Sequence, residues 1–313
     1  MQRPALFFVF IQNSAYPGRT RLTPKFEAEA VMAEKKDVFF EQFENCSNCF
    51  VNAKAKKLLQ KDDALVCHYM SCARLENWIK NSIMTFVSPY KWSDPFEKIY
   101  LSTVLKNLPS QKKYTPPRIA CLCFTKSQYK DSVAFWRIFK PDELTQLVRV
   151  EFYFKELLIQ LIRLLKKNNL KIYVIGVDYS LTQEKIKDKS EFIKHILDHH
   201  NVNKIDAESL YIEMFSYKRK AFAYENEIRM ILVPLEKKSI QFDENGCFVA
   251  KGFNYKSIVK KMWLEPVRLP SGWTSVGLLK EHLEGFENKI GQSILYKEQK
   301  KCEFIDLKKE GVK

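Results

Sequence analysis

Glycine is scarce in this chain, at 9 of 313 residues, and the few glycines never gather into the spacing that lets a backbone close on a phosphate. That excludes the phosphate loop of nucleoside triphosphatases and the Rossmann fingerprint, both of which need glycine where the chain meets its ligand. No serine is framed by glycines as in a nucleophile elbow, which sets aside the α/β-hydrolase class. Long apolar runs are missing too. The strongest, Ala5-Leu6-Phe7-Phe8-Val9-Phe10-Ile11, is too short to cross a bilayer and has only Arg3 before it, so it reads as a packed strand rather than a membrane span or an export signal. Acidic residues are in deficit, with 37 Asp and Glu against 52 Lys and Arg and a formal charge of +15. Such a balance favours acidic partners such as nucleic acid, nucleotides or anionic lipid, though the basic residues are scattered and form no single arm or recognition motif.

Eight cysteines are present, but the chain is large, and a reduced, cytoplasmic setting is expected rather than a disulfide framework. Cys46-Ser47-Asn48-Cys49 has the spacing of a zinc pair, yet no second close pair lies at a suitable distance, so no metal site is assigned. Cys121 and Cys123 face one way on a strand and read as core. His199-His200 fall at the end of an expected helix, where imidazolium suits the dipole.

What remains is a globular composition, 46% apolar with 23 phenylalanines, enough to bury a substantial core. We read one elaborated domain. Residues 1–62 are an N-terminal extension of strand and helices, 63–270 an α+β core, and 271–313 a helix and strand completing it. The fold class is α+β, a central mixed or antiparallel sheet with flanking helices.

Within the extension, helices are expected around Phe26–Phe43 and Ala53–Gln60. Leu65–Met70 alternates as a strand with Val66, His68 and Met70 on one face, and Ser71 caps a helix at once, since Cys72, Leu75, Trp78 and Ile79 recur at helical spacing. Ile83–Val87 is a short strand. Ser88 to Glu97 is a loop stiffened by two prolines. Ile119–Thr125 is apolar enough for the centre of a sheet. Further along come a helix over Leu157–Leu165, a strand over Lys171–Asp178 and a helix over Ser190–His200. Asn245-Gly246 signals a hairpin between Ser239–Phe242 and Cys247–Ala250, and Lys256–Leu264 is another strand. Glu225 to Val233 alternates at period two, placing Glu225, Glu227 and Arg229 on one face and Ile228, Met230 and Leu232 on the other.

His68, the Asp94/Glu97 loop and the Glu225/Glu227/Arg229 face come from three separated segments, each anchored by apolar sequence. Convergence of such groups on a sheet is how binding sites are built. Residue by residue, the plainer reading is a structural Glu227–Arg229 ion pair and an Asp94 that caps a turn.

The order Cys67-His68-Tyr69, Ser93-Asp94-Pro95-Phe96-Glu97, Cys123-Phe124-Thr125, Phe135-Trp136 and Tyr224-Glu225-Asn226-Glu227-Ile228-Arg229 resembles the bacterial domain-of-unknown-function family 2971. That family's pattern has a His-Tyr strand, an Asn-Asp-Pro-Phe-Glu loop, a Cys-Phe-Ser strand, a Met-Trp pair followed by Tyr, and a Glu-x-Glu-x-Arg strand preceded by Lys, here Lys218. The resemblance spans about residues 64–300. The chain departs from it at Ser93, Phe135, Phe139 and Val148–Phe152.

A histidine on an early strand followed directly by a helix, with Glu-x-Glu on a late strand, is also similar to ADP-ribosyltransferases at the level of fold. This likeness implies NAD as ligand and transfer of ADP-ribose, while the resemblance to family 2971 implies a role in phage defence. It casts Glu227 as stabiliser of the oxocarbenium ion, Glu225 as base, and His68 or Tyr69 as holder of a ribose hydroxyl. Trp136 would stack on a ring, Asp94 and Glu97 would shape a loop over the ligand, and Arg229 and Lys218 would complete the ligand contacts. The competing class is a non-catalytic nucleic-acid-binding module. A third is a nuclease with Asp94, Glu97 and Glu227 around magnesium.

Overall fold

A computed structural model describes residues 48–61, 63–92, 118–126, 133–140, 145–188, 191, 208, 211–235, 243, 247–266, 275–293 and 295. The expected strand Ala5–Ile11, the helix around 26–43, the Asp94/Glu97 loop, nearly all of the helix over 190–200 and the Asn245-Gly246 turn lie outside the described residues.

The strands are β1 (Cys49–Val51), β2 (Leu65–Ser71), β3 (Ile83–Val87), β4 (Ala120–Lys126), β5 (Leu147–Tyr153), β6 (Leu170–Gly176), β7 (Glu227–Pro234), β8 (Cys247–Lys251), β9 (Val259–Leu264) and β10 (Ile290–Gln292), the central ones buried on both faces. They assemble into one sheet ordered β1-β6-β7-β4-β2-β5-β9-β10, with β3 pairing β4 and β8 alongside that path. The β1/β6 and β9/β10 pairs are parallel and the others antiparallel. The α+β class and mixed sheet are therefore as expected, and β4 does run through the sheet's interior.

One face carries the main core. Val66 and Met70 of β2, Leu122 and Phe124 of β4 and Ile228, Met230 and Leu232 of β7 pack there with Leu75 and Trp78 of the helix Cys72–Lys80 and Leu157, Leu158 and Leu161 of the helix Phe154–Asn168. Ser71 caps the first of these helices as expected, its hydroxyl accepting from the Arg74 N–H at 3.2 Å. The second is longer than the periodicity indicated, because Phe154 continues straight out of β5 and only Asn169, at φ 53°, ends it. On the other face Cys121, Tyr173, Ile175, Ile231 and Val233 pack against Tyr211, Ile212, Met214 and Phe215. A smaller cluster joins Tyr69, Phe135, Trp136 and Leu147.

Residues 49–59, expected within an N-terminal extension, pair and pack with the rest. β1 registers Cys49, Phe50 and Val51 against Ile172, Tyr173 and Val174, and Ala55, Leu58 and Leu59 of the helix Ala53–Leu59 enter the main core. One local reading differs from expectation: Tyr255–Ile258 forms a short helix, so the strand begins only at Val259. Cys247–Lys251 pairs with β3, from Ile83↔Lys251 to Val87↔Cys247, while its expected hairpin partner, 239–242, lies outside the described residues. Among the described residues no helix is long and apolar enough to cross a membrane.

Candidate functional site

β4 is where the sheet forks. One of its edges pairs with β7 along its length, from Ala120↔Leu232 to Thr125↔Glu227. The other edge meets β3 at Cys121 and β2 at Thr125 and Lys126. Between these contacts the carbonyl of Cys123 would be left without a strand partner. His68 supplies one, its Nδ1 lying 2.8 Å from that oxygen. A carbonyl only accepts, so Nδ1 carries the proton and Nε2 presents a lone pair. Nε2 is sealed from solvent and has no hydrogen-bond partner among the described residues. Burial drives the imidazole down to a pKa of about 4, against the opposing Cys123 hydrogen bond and with Arg74 assisting; His68 is neutral at physiological pH.

The alternation that put His68 with Val66 and Met70 holds, and it has a consequence. Those residues face the main core, where the imidazole stacks on Trp78 at 5.8 Å and tilts against Phe124 at 5.7 Å. Opposite neighbours in register share a face, so Cys67, Thr125 and Glu227 lie on the other side with Tyr69, Cys123 and Arg229. His68 and the Glu227/Arg229 pair thus approach one pocket from opposite faces of the sheet, through the fork.

Glu227 opens β7, and neighbouring elements fix its backbone: its N–H donates to the Tyr179 hydroxyl at 2.6 Å, and its carbonyl accepts from the Val177 N–H at 3.0 Å. Two residues on, Arg229 returns on the same face and grips the carboxylate with Nε and Nη2, both at 3.0 Å. Its Nη1 donates to the Phe215 carbonyl at 3.0 Å, and Trp92 lies 4.5 Å beneath the guanidinium. Relative exposures of 6% and 1% make this a buried pair, whose desolvation is offset only by such complete bonding. Burial alone would raise the Glu227 carboxyl; the charges of Arg229 and Lys218 reverse that and hold it at about 2.

Glu225 does not lie on the strand. Lys220–Glu225 is a 3-10 segment closed by Asn226 in the left-handed region at φ 43°, and that turn breaks the alternation that appeared to place Glu225 beside Glu227. The two carboxylates meet through Lys218 instead, whose Nζ donates to Glu225 at 2.5 Å and to Glu227 at 3.5 Å. Lys218 is itself placed by backbone bonds: its N–H donates to the Asp178 carbonyl and its carbonyl accepts from Leu181. Burial lifts the Glu225 carboxyl above its ordinary range, and the Lys218 charge and hydrogen bond only partly oppose it.

A pocket of about 580 Å³ joins these groups. Its lining brings together His68, Tyr69, Lys218, Glu225, Glu227 and Arg229, all anticipated from the sequence. Trp136 is not among them: it is buried edge-on against Tyr69 at 5.1 Å, in the cluster with Phe135 and Leu147. The pocket's aromatic wall comes from Phe139, Phe222 and Trp92, and its further cations from Lys91 and Arg219. Sequence reasoning passed over these, although Lys218-Arg219-Lys220 followed by Phe222 and Tyr224 is a basic-aromatic signal standing just before Glu-x-Glu. Tyr179 and Cys123 carry no such signal; the topology alone delivers them.

Cys123 has its sulfur 3.8 Å from that of Cys121. Bonding to Cys121, then burial, pushes the Cys123 thiol well up, which removes it as a thiolate nucleophile. Asp94 and Glu97 are outside the described residues, and among the described residues no group of three or more His, Cys, Asp or Glu is placed to hold a metal ion. No family model, curated protein or solved structure matches the chain.

Proposed function

We propose that this pocket takes up NAD and transfers its ADP-ribose to an acceptor. The observation that carries the reading is the divergence of two neighbouring carboxylates, Glu227 held ionised down to a pKa of about 2 and Glu225 raised above its ordinary range. Pairs whose environments push them apart divide the roles of charged stabiliser and proton acceptor.

As the bond from ribose C1′ to nicotinamide breaks, nicotinamide leaves with the electron pair and positive charge grows at C1′. The Glu227 carboxylate, fixed by Arg229, stabilises that charge. The acceptor's lone pair closes on C1′, and its proton passes to Glu225. Lys91 and Arg219 suit the pyrophosphate. Phe139, already stacked on Tyr69 at 5.2 Å, offers the ring face first sought in Trp136. His68 Nε2 is sealed from solvent, so the ribose hydroxyl falls to Tyr69, which lines the pocket. The fold-level likeness to ADP-ribosyltransferases, reduced to a histidine on an early strand and Glu227 on a late one, points the same way.

The test is nicotinamide release, followed chromatographically, from NAD incubated with the pure protein and with cell extract as acceptor source. Glu227→Gln should slow it by about 100-fold or more. The wild-type rate should rise with pH through the raised Glu225 carboxyl, a limb that Glu225→Gln abolishes. If NAD neither binds nor reacts, or if wild type and Glu227→Gln behave alike, the pocket is a binding module.

A further inference from the structure

Beside the pocket lie exposed apolar side chains of which the proposed NAD site takes up only Phe139. Ile138, Phe139 and Tyr224 are 49%, 39% and 42% exposed, an unusual grouping of large apolar side chains at a surface. They are not loose. Phe135, buried beneath, meets Phe139 face to face at 6.1 Å and Tyr224 edge-on at 5.9 Å, so the two exposed rings share one rigid base. Two exposed cations outside the pocket lining stand near them in sequence, Arg137 next to Ile138 and Lys220 four residues before Tyr224. Both pocket carboxylates are paired with Lys218 or Arg229.

We infer that this rim docks a single strand of nucleic acid, whose base is the acceptor for the group transferred in the pocket. Stacking rings interleaved with cations match a strand with open base faces and a phosphate backbone. A duplex hides those faces in its own stack, and an acidic peptide would use the cations but leave the rings idle. The chemistry is placed to follow. Tyr224 and Glu225 are consecutive, one exposed beside the pocket-lining Phe222 at 6.4 Å and the other buried in the pocket, so a base laid on Tyr224 brings its ring or exocyclic nitrogen towards the proposed proton acceptor. That nitrogen bonds to C1′, nicotinamide departs with the electron pair, and the nitrogen's proton goes to Glu225. The inference rests on the transfer reading for its chemistry, but the docking can be measured without NAD.

Fluorescence anisotropy with short labelled oligonucleotides, as single-stranded DNA, single-stranded RNA and duplex, separates the cases. Single strands should bind more tightly than duplex, the two single-strand arms deciding between DNA and RNA. Tyr224→Ala should weaken binding about tenfold or more while Tyr224→Trp retains it. Arg137→Ala and Lys220→Ala should each reduce the slope of log affinity against log salt by about one. Thermal melts check that each variant is folded. Equal affinity for duplex and single strand, no effect of Tyr224→Ala, or label from NAD appearing on protein and never on nucleic acid would overturn the inference. Strand binding without nicotinamide release would sink the transfer reading and leave the docking standing.

Discussion

Glu227 and Arg229 stand two residues apart on one face of β7 and bind each other through two hydrogen bonds of 3.0 Å, at a point where neither is more than 6% exposed. A pair so buried is costly to break from one side only. Arg229→Met leaves the Glu227 carboxylate with only the longer Lys218 contact of 3.5 Å and should destabilise the protein by roughly 3–5 kcal/mol in urea unfolding, whereas Glu227→Leu combined with Arg229→Met should recover most of that loss. A single substitution costing less than about 1 kcal/mol would mean that Lys218 alone suffices for Glu227. The pH dependence has a definite sign. Because the folded Glu227 carboxyl sits at about 2, below its ordinary 4.5, its contribution is fully present above about pH 4.5 and is lost as pH falls towards 2.

His68 titrates in a separate and higher window. Its folded value of about 4 lies below the ordinary 6.5, so below pH 6.5 the unfolded chain binds a proton that the folded chain refuses. Stability should fall between about pH 6.5 and 4 with a slope approaching one proton. His68→Gln keeps a donor for the Cys123 carbonyl but cannot titrate, and it should flatten that slope. Unfolding midpoints measured across the window decide the point; an unchanged slope in the variant would show that another group is responsible.

Asn52 ties the helix Ala53–Leu59 to the sheet at Gly176. Its Oδ1 accepts from the N–H groups of Ala55 and Gly176 at 3.0 and 2.9 Å, and its Nδ2 donates to the Gly176 carbonyl at 3.0 Å. Asn52→Ala removes a helix cap and two cross-links and should cost about 2 kcal/mol. Gly176→Ala should also destabilise, since a Cβ there would lie 2.6 Å from that of Lys54. If Asn52→Ala were neutral in both unfolding and proteolysis, residues 49–59 would be dispensable to the domain.

Local pattern was enough to place the strands around His68, Cys123 and Arg229, the helix capped by Ser71, and the mixed α+β class, because period, capping and burial are properties of short segments. It also grouped Glu225, Glu227 and Arg229, to which the resemblance to family 2971 added Lys218. What it could not supply is anything decided between segments. Alternation set His68 beside Val66 and Met70, but only the fork of β4 shows that this face is the main core and that the histidine reaches the pocket from behind. Period two counted Glu225 as a strand residue because it cannot register a single left-handed turn at Asn226. Trp136 looked like a stacking surface, and packing against Tyr69 buried it, leaving Phe139 at the pocket instead. Sequence thus determined which groups were available, and tertiary structure decided their sides, their exposure and their charge states, since desolvation and paired charges act through space rather than along the chain.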